Sequence, residues 1–131
     1  VHRSNFYQAG FVTEPETAAL VQLGQQHEVP VIDDIGSGCV HSLSDLGLAE
    51  PTISESVATG AEVTLFSGDK LFGGPQAGII VGQRHRIAQL RNSPMARAVR
   101  IDKVTLAALE ATVEIHLSGQ AREQLPLLRM M

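Results

Sequence analysis

Two short apolar runs near the middle of the chain, residues 63–66 and 77–81, are each bounded by turn residues, a pattern that predicts buried strands. Between them lies the polar turn Ser67-Gly68-Asp69-Lys70, followed by Gly73, Gly74 and Pro75, and Gly82 closes the second run. Upstream, Ala19, Leu20 and Leu23 would form a buried stripe, and Thr13 with Glu16 makes a capping-box pattern with Pro15 tolerated in the first turn. A helix is therefore expected over residues 14–28, ended by Pro30, with a short strand at Val31-Ile32. Residues 39–50 read as a turn-rich connection, Pro51-Thr52 opens a short helix, and Gly60 punctuates before the strand at 63. Downstream, a helix over residues 84–90 is broken at Asn92-Ser93-Pro94. Residues 104–117 carry only Glu110 and Glu114 as charges, which predicts a largely buried helix stopped by Gly119. A last helix start, with Pro126, closes the chain. Strands alternating with helices predict an α/β fold with a mainly parallel sheet.

Composition narrows the class. At 131 residues and 44% hydrophobic, the chain is long enough for one globular domain with a real core. A formal charge of -4 argues against a generally basic nucleic-acid binder, so any RNA contact must come from a local patch or from a part beyond this sequence. Cys39 is the single cysteine, which excludes an internal disulfide framework and a cysteine-rich zinc site and suits a reducing, cytoplasmic setting. No apolar run reaches the length of a membrane span. The opening VHRSNF, without an initiator methionine, reads as the end of a strand in a longer protein.

The candidate chemistry sits at two strand ends. Lysines in polar turns are mostly solvated charges, but a lysine held among small residues at a strand end can form a Schiff base with a carbonyl cofactor when its surroundings are desolvated. Asp33-Asp34-Ile35-Gly36-Ser37-Gly38 follows the strand at 31–32, where open α/β sheets bind ligands. Asp34 and Lys70 are separated by enough chain for one crossover, so both can face one pocket. A carboxylate and a lysine so placed suit pyridoxal phosphate, the Asp keeping the pyridine nitrogen protonated and the lysine forming the imine. Ser67 offers a hydroxyl and Gly68 an amide for the phosphate. Arg97 and Arg100 share a face if their segment is helical; solvated surface is the default for such a pair.

The run FSGDKLFGGPQAGIIVG, with DIGSG upstream and RAVRIDKVTLAALEATVEIHL downstream, closely resembles the bacterial selenocysteine synthase family, the L-seryl-tRNA(Sec) selenium transferases. The resemblance runs from VHRSNF to PLLRMM and implies part of a fold type I pyridoxal phosphate transferase. Residues 1–101 are then a partial cofactor-binding large domain, and residues 102–131 begin the carboxyl-terminal small domain. It implies Lys70 as the Schiff-base lysine, Asp34 as partner of the pyridinium nitrogen, Asp69 as an acid assisting elimination, and Arg97 with Arg100 as the pair that binds the selenium donor. Asp33 stands where the family usually has an apolar residue, so the choice of Asp34 rests on its spacing to Gly36. The implied reaction converts L-seryl-tRNA(Sec) to selenocysteinyl-tRNA(Sec) with selenophosphate, in a cytoplasmic homo-oligomer that uses neither metal, DNA nor membrane. The family's amino-terminal RNA-binding domain and the first half of its catalytic domain have no counterpart in the sequence, so half a site is expected.

Three rival readings follow from the same residues. A related lyase or transferase of the same fold, acting on a small amino acid without tRNA, would use the same Lys70 and Asp34. A serine hydrolase is suggested by Ser67-Gly68-Asp69-Lys70 as an S-x-x-K, but the SDN and KTG partners of that motif are absent from the sequence. The third is a non-catalytic, truncated fragment.

Overall fold

A computed structural model describes residues 9–131. The polar group His2, Arg3, Ser4 and Asn5, and the strand end expected around it, lie outside the described residues. The order is α1 (Thr17–Gln26), β1 (Ile32–Gly36), a 3-10 turn (Ser44–Leu46), α2 (Ile53–Ala58), β2 (Val63–Ser67), β3 (Gly78–Gly82), α3 (Arg84–Arg91), α4 (Pro94–Ala98), α5 (Lys103–Leu117), α6 (Ala121–Gln124) and α7 (Pro126–Arg129). This is the expected α/β alternation.

Among the described residues, three strands form one sheet in the order β1-β2-β3. β1 and β2 are parallel, joined through α2, whereas β3 returns antiparallel with Ser67 opposite Gly78. The direction follows from connection length, because parallel pairing needs a crossover of roughly a dozen residues or more and the turn from β2 to β3 is shorter. β1 extends past the expected strand at 31–32 and carries Asp33 and Asp34 within the ladder, opposite Thr64 and Leu65. It can do so because the Asp33 carboxylate is satisfied, accepting the Ser56 hydroxyl of α2 at 2.7 Å, while Ser56 Oγ lies 2.9 Å from the fully buried Thr64 Oγ1.

One face of the sheet holds the core. Ile35, Phe66 and Phe72 are buried together, and Ile53 of α2, Ile79 and Val81 of β3 and Leu109 of α5 pack against them. The capping box lies at α2 rather than α1. Thr52 Oγ1 accepts the Glu55 N–H at 3.1 Å and Glu55 Oε2 accepts the Thr52 N–H at 2.8 Å, whereas α1 starts at Thr17 with no side-chain cap. At the start of β2 Arg86 of α3 pairs with Glu62, while towards the lysine-turn end Arg122 of α6 grips Asp45 through two hydrogen bonds of 2.6 and 2.8 Å.

The expectation of a largely buried α5 is corrected. Only Thr112 and His116 are buried, while Val104 and Leu117 are 80% and 82% exposed. A helix apolar on all sides needs cover on all sides, and here only the face bearing Leu109, Thr112 and His116 meets the core and the turn after β2.

Candidate active site

Parallel pairing of β1 and β2 brings the two predicted strand ends side by side. Asp34 lies opposite Leu65, but the next pair is Gly36 with Phe66, so Ile35 is an extra residue and β1 bulges beside Asp34. The Asp34 carboxylate stabilises the bulge by accepting the Gly36 N–H at 3.1 Å. Bulges of this kind re-aim side chains at sheet rims and active sites. Gly36 has φ +58°, a backbone state that glycine adopts without penalty.

The following loop is clamped onto the lysine turn. Leu71 N–H donates to the Ser37 carbonyl at 2.9 Å, and Gly38, at φ +69°, is so close that a Cβ there would sit 2.7 Å from the Ser67 carbonyl oxygen and 3.1 Å from the Phe72 Cβ. The lysine turn closes on itself as well, with Gly74 N–H to Gly68 O at 2.7 Å and Gly73 N–H to Lys70 O at 2.8 Å. Lys70 is half-buried and Asp69 exposed.

A cavity of about 780 Å³ opens on the second face of the sheet. Asp34, Ser67, Ile80, Leu90, Ser93 and Arg100 are among its lining residues, drawn from all three strands, α3 and the segment around α4. Its size falls within the range of small-molecule and cofactor sites. Asp33 is turned to α2 instead, which separates the roles of the two adjacent acids. Lys70 and Asp69 occupy the turn immediately after Ser67 and do not line this cavity.

Arg97 and Arg100 do not share a helical face. α4 ends at Ala98, with Val99 at φ -100° and ψ 6°, so Arg97 is exposed on the helix while Arg100 lies beyond it at the cavity wall. The cause is Asp102, whose carboxylate takes the amides of Val104 and Thr105 at 2.8 and 3.0 Å as the cap of α5. An N-cap residue is extended, and Asp102 has ψ 171°, so the chain must leave the helix before it.

For pyridoxal phosphate the described residues offer a carboxylate at the ring-nitrogen end and a lysine near it. Asp34 lines the cavity with Oδ1 engaged locally, Lys70 is half-buried in the adjacent turn outside the cavity, and the Ser37 hydroxyl is buried without a partner among the described residues. The phosphate end is thinner than the sequence suggests. The Gly68 amide already donates to the Ala77 carbonyl at 2.8 Å, which leaves Ser67 as the hydroxyl this turn can offer. Among the described residues no group of three His, Cys, Asp or Glu side chains could hold a metal ion.

Sequence reasoning passed over Ser37 and His116. Ser37 was signalled by its two flanking glycines. His116 has its Nε2 2.8 Å from the Phe72 carbonyl oxygen and its ring centroid 4.9 Å from that of Phe72, a tertiary contact that no local pattern announces.

Comparison with known proteins identifies the family. The family model for SelA, L-seryl-tRNA selenium transferase, matches residues 1–131. The L-seryl-tRNA(Sec) selenium transferase of Geobacter metallireducens is 53% identical over 133 aligned residues, covering 100% of this chain and 29% of that protein. Those of Salmonella paratyphi A and Alkaliphilus oremlandii are 50% and 48% identical, again over 100% of this chain and over 29% and 28% of theirs. The chain thus spans under a third of the length of these relatives. Among solved structures, D-glucosaminate-6-phosphate ammonia-lyase superposes with a TM-score of 0.63 at 25% identity, covering 97% of this chain and 31% of that one. The expected fold class, an α/β part of a fold type I pyridoxal phosphate enzyme, holds. With the motif at Lys70, the bulged strand at Asp34 and a match over every residue, the chain belongs to the L-seryl-tRNA selenium transferase family.

Proposed function

We propose that this chain carries the lysine-bearing part of the site of an enzyme that converts L-seryl-tRNA(Sec) to selenocysteinyl-tRNA(Sec), with pyridoxal phosphate as cofactor and selenophosphate as selenium donor. The observation that carries this reading is the parallel β1–β2 pair, which sets the Asp34 and Lys70 strand ends side by side in a chain matched throughout by the family model.

Pyridoxal phosphate, when bound, supplies an electron sink for chemistry at the α-carbon of the seryl group. Asp34 holds the ring nitrogen protonated. Lys70 would hold the carbonyl end and would take the α-proton of the seryl group. Ser67 donates to the phosphate, with the amide of Gly68 committed to Ala77. Asp69, exposed beside Lys70, assists departure of the seryl oxygen. Arg100 at the cavity wall and Arg97 on α4 bind the tetrahedral oxyanion of the donor, for which guanidinium forks are suited. Residues 1–101 serve as the partial cofactor-binding domain and Asp102 opens the second.

A charge asymmetry supports a tRNA substrate. Of the ten Lys and Arg residues, six (Arg84, Arg86, Arg91, Arg97, Arg100 and Lys103) fall within residues 84–103, where Asp102 is the only acid. Arg91, Arg97, Arg100 and Lys103 are exposed. Such a local patch in an acidic chain suits phosphate contact. A second reading, a lyase acting on a small amino acid, draws on the likeness to the ammonia-lyase. The exposed apolar residues of α5 support assembly into a homo-oligomer. A cytoplasmic location accords with the buried, unpaired Cys39.

The test is a chimera in which this chain replaces the aligned segment of the Geobacter metallireducens relative. It should transfer selenium to seryl-tRNA(Sec) and lose that activity with Lys70→Ala. Arg97→Ala with Arg100→Ala should abolish selenium transfer while cofactor absorbance persists. Turnover of free serine, with none of seryl-tRNA(Sec), would favour the small-molecule reading.

A further inference from the structure

His116 of α5 reaches across the fold to the lysine turn. Its ring is 9% exposed, and Nε2 lies 2.8 Å from the carbonyl oxygen of Phe72, two residues after Lys70. A carbonyl can only accept, so Nε2 carries the hydrogen, and in the neutral ring Nδ1 is left as an acceptor. Nδ1 is buried without a partner among the described residues. The other ties on the turn are backbone to backbone: Gly68 to Ala77, Leu71 to Ser37, Gly73 to Lys70 and Gly74 to Gly68. The Phe72 carbonyl is thus the point at which a side chain from outside the sheet holds this turn.

We propose that His116 is a positioning residue for Lys70, fixing the Phe72 carbonyl and so coupling the setting of the lysine to the docking of α5. The role rests on the reading of Lys70 as the cofactor lysine. The surroundings explain why the neutral ring is required. His41 packs at 5.6 Å between ring centroids, and Cys39 and Arg122 line a small cavity of about 80 Å³ beside His116, with Leu43, Leu46 and Leu71 as apolar neighbours. Arg122 is cationic and is matched by Asp45. No acidic side chain lines this cavity, so a protonated His116 would carry a charge away from any carboxylate side chain and an Nδ1–H with no acceptor among the described residues. Burial, seconded by His41, holds the His116 pKa below its ordinary value and outweighs the bond to Phe72.

The test uses the full 131-residue chain and needs no cofactor. His116→Phe keeps the ring volume and removes the donor, whereas His116→Gln keeps a donor. Loss of one such bond should raise amide exchange at Leu71 and Gly73 about fivefold to tenfold, speed chemical acylation of Lys70, and leave the Val63–Ser67 strand unchanged. His116→Gln should restore both readouts towards the parent. Nitrogen chemical shifts of the parent should show the Nε2–H tautomer, which keeps the proposal testable if His116→Phe does not fold. Exchange and Lys70 acylation unchanged in His116→Phe, a rise spread evenly over the sheet, or an Nδ1–H tautomer would each overturn it. A Lys70 that never takes pyridoxal phosphate would sink the functional reading alone, because the coupling is measured without cofactor.

Discussion

Replacing Gly38 by Ala tests whether the loop after Asp34 is locked against the lysine turn. At φ +69° an L side chain costs about 1 kcal/mol. The added Cβ would also meet the Ser67 carbonyl oxygen at 2.7 Å, Phe66 Cδ2 at 3.0 Å and Phe72 Cβ at 3.1 Å. All three are backbone or core atoms with little freedom to yield, and overpacking of this kind adds about 1 to 3 kcal/mol. The sum is about 2 to 4 kcal/mol, a large share of the ~5–15 kcal/mol that holds a domain folded. Gly119→Ala is the control, since its φ is +75° but nothing lies within 4 Å, leaving only the backbone cost. Any effect of Ala on the unfolded chain is common to both and cancels. With a urea slope of about 2 kcal/mol/M, the midpoint should fall by about 1 to 2 M for Gly38→Ala and about 0.5 M for Gly119→Ala. Equal losses for the two variants would refute the close approach of the loop after β1 to the lysine turn.

The remaining predictions reach other parts of the fold. Thr52→Ala removes one arm of the capping box and should cost about 1 kcal/mol in the same urea assay, whereas Thr13→Ala should cost nothing. Cys39 is 1% exposed, and its thiol pKa is raised chiefly by burial and then by Glu50 and Glu55, so a disulfide reagent should label it at the rate of unfolding; rapid labelling of the folded chain would contradict this. Because the folded-state pKa of His116 is depressed, the unfolded chain takes the proton first. Its contribution to stability is complete above about pH 6.5 and is lost as pH falls below that value. The urea midpoint should therefore drop between pH 8 and 5.5 more in the parent than in His116→Gln. Sedimentation should show association that rises with concentration and weakens in Val104→Glu with Leu117→Glu, two exposed positions on α5.

What the sequence disclosed was governed by local physics. The runs at 63–66 and 77–81 became β2 and β3 because apolar residues bracketed by Gly and turn formers have few other ways to be buried. That the strand carrying Asp34 lies beside the strand before Lys70 was likewise legible from matched strand-then-glycine patterns, but not that Asp34 falls within β1 or that Lys70 stays outside the cavity Asp34 lines. What failed depended on partners remote in sequence. β1 absorbed two carboxylates because Ser56 satisfies Asp33 from another element. Residues 104–117 were expected to be buried on composition, but a three-stranded sheet covers only one side of α5. Arg97 and Arg100 were separated by Asp102, which caps the next helix, and His116 gained its importance only through Phe72.

Lys70 is proposed as the residue that holds the cofactor. This role is tested most directly by loading the chimera with pyridoxal phosphate, reducing with borohydride and mapping the modified peptide. Lys70 and Lys103 are the two lysines of this chain, so within it the alternatives are few. The expected result is a pyridoxyl group on Lys70, absent in Lys70→Ala, and only weak labelling of Lys70 in the isolated 131-residue chain, where Asp34 lines the cavity on the second face of the sheet and Lys70 does not. Modification of Lys103, or strong cofactor absorbance that survives Lys70→Ala, would contradict it.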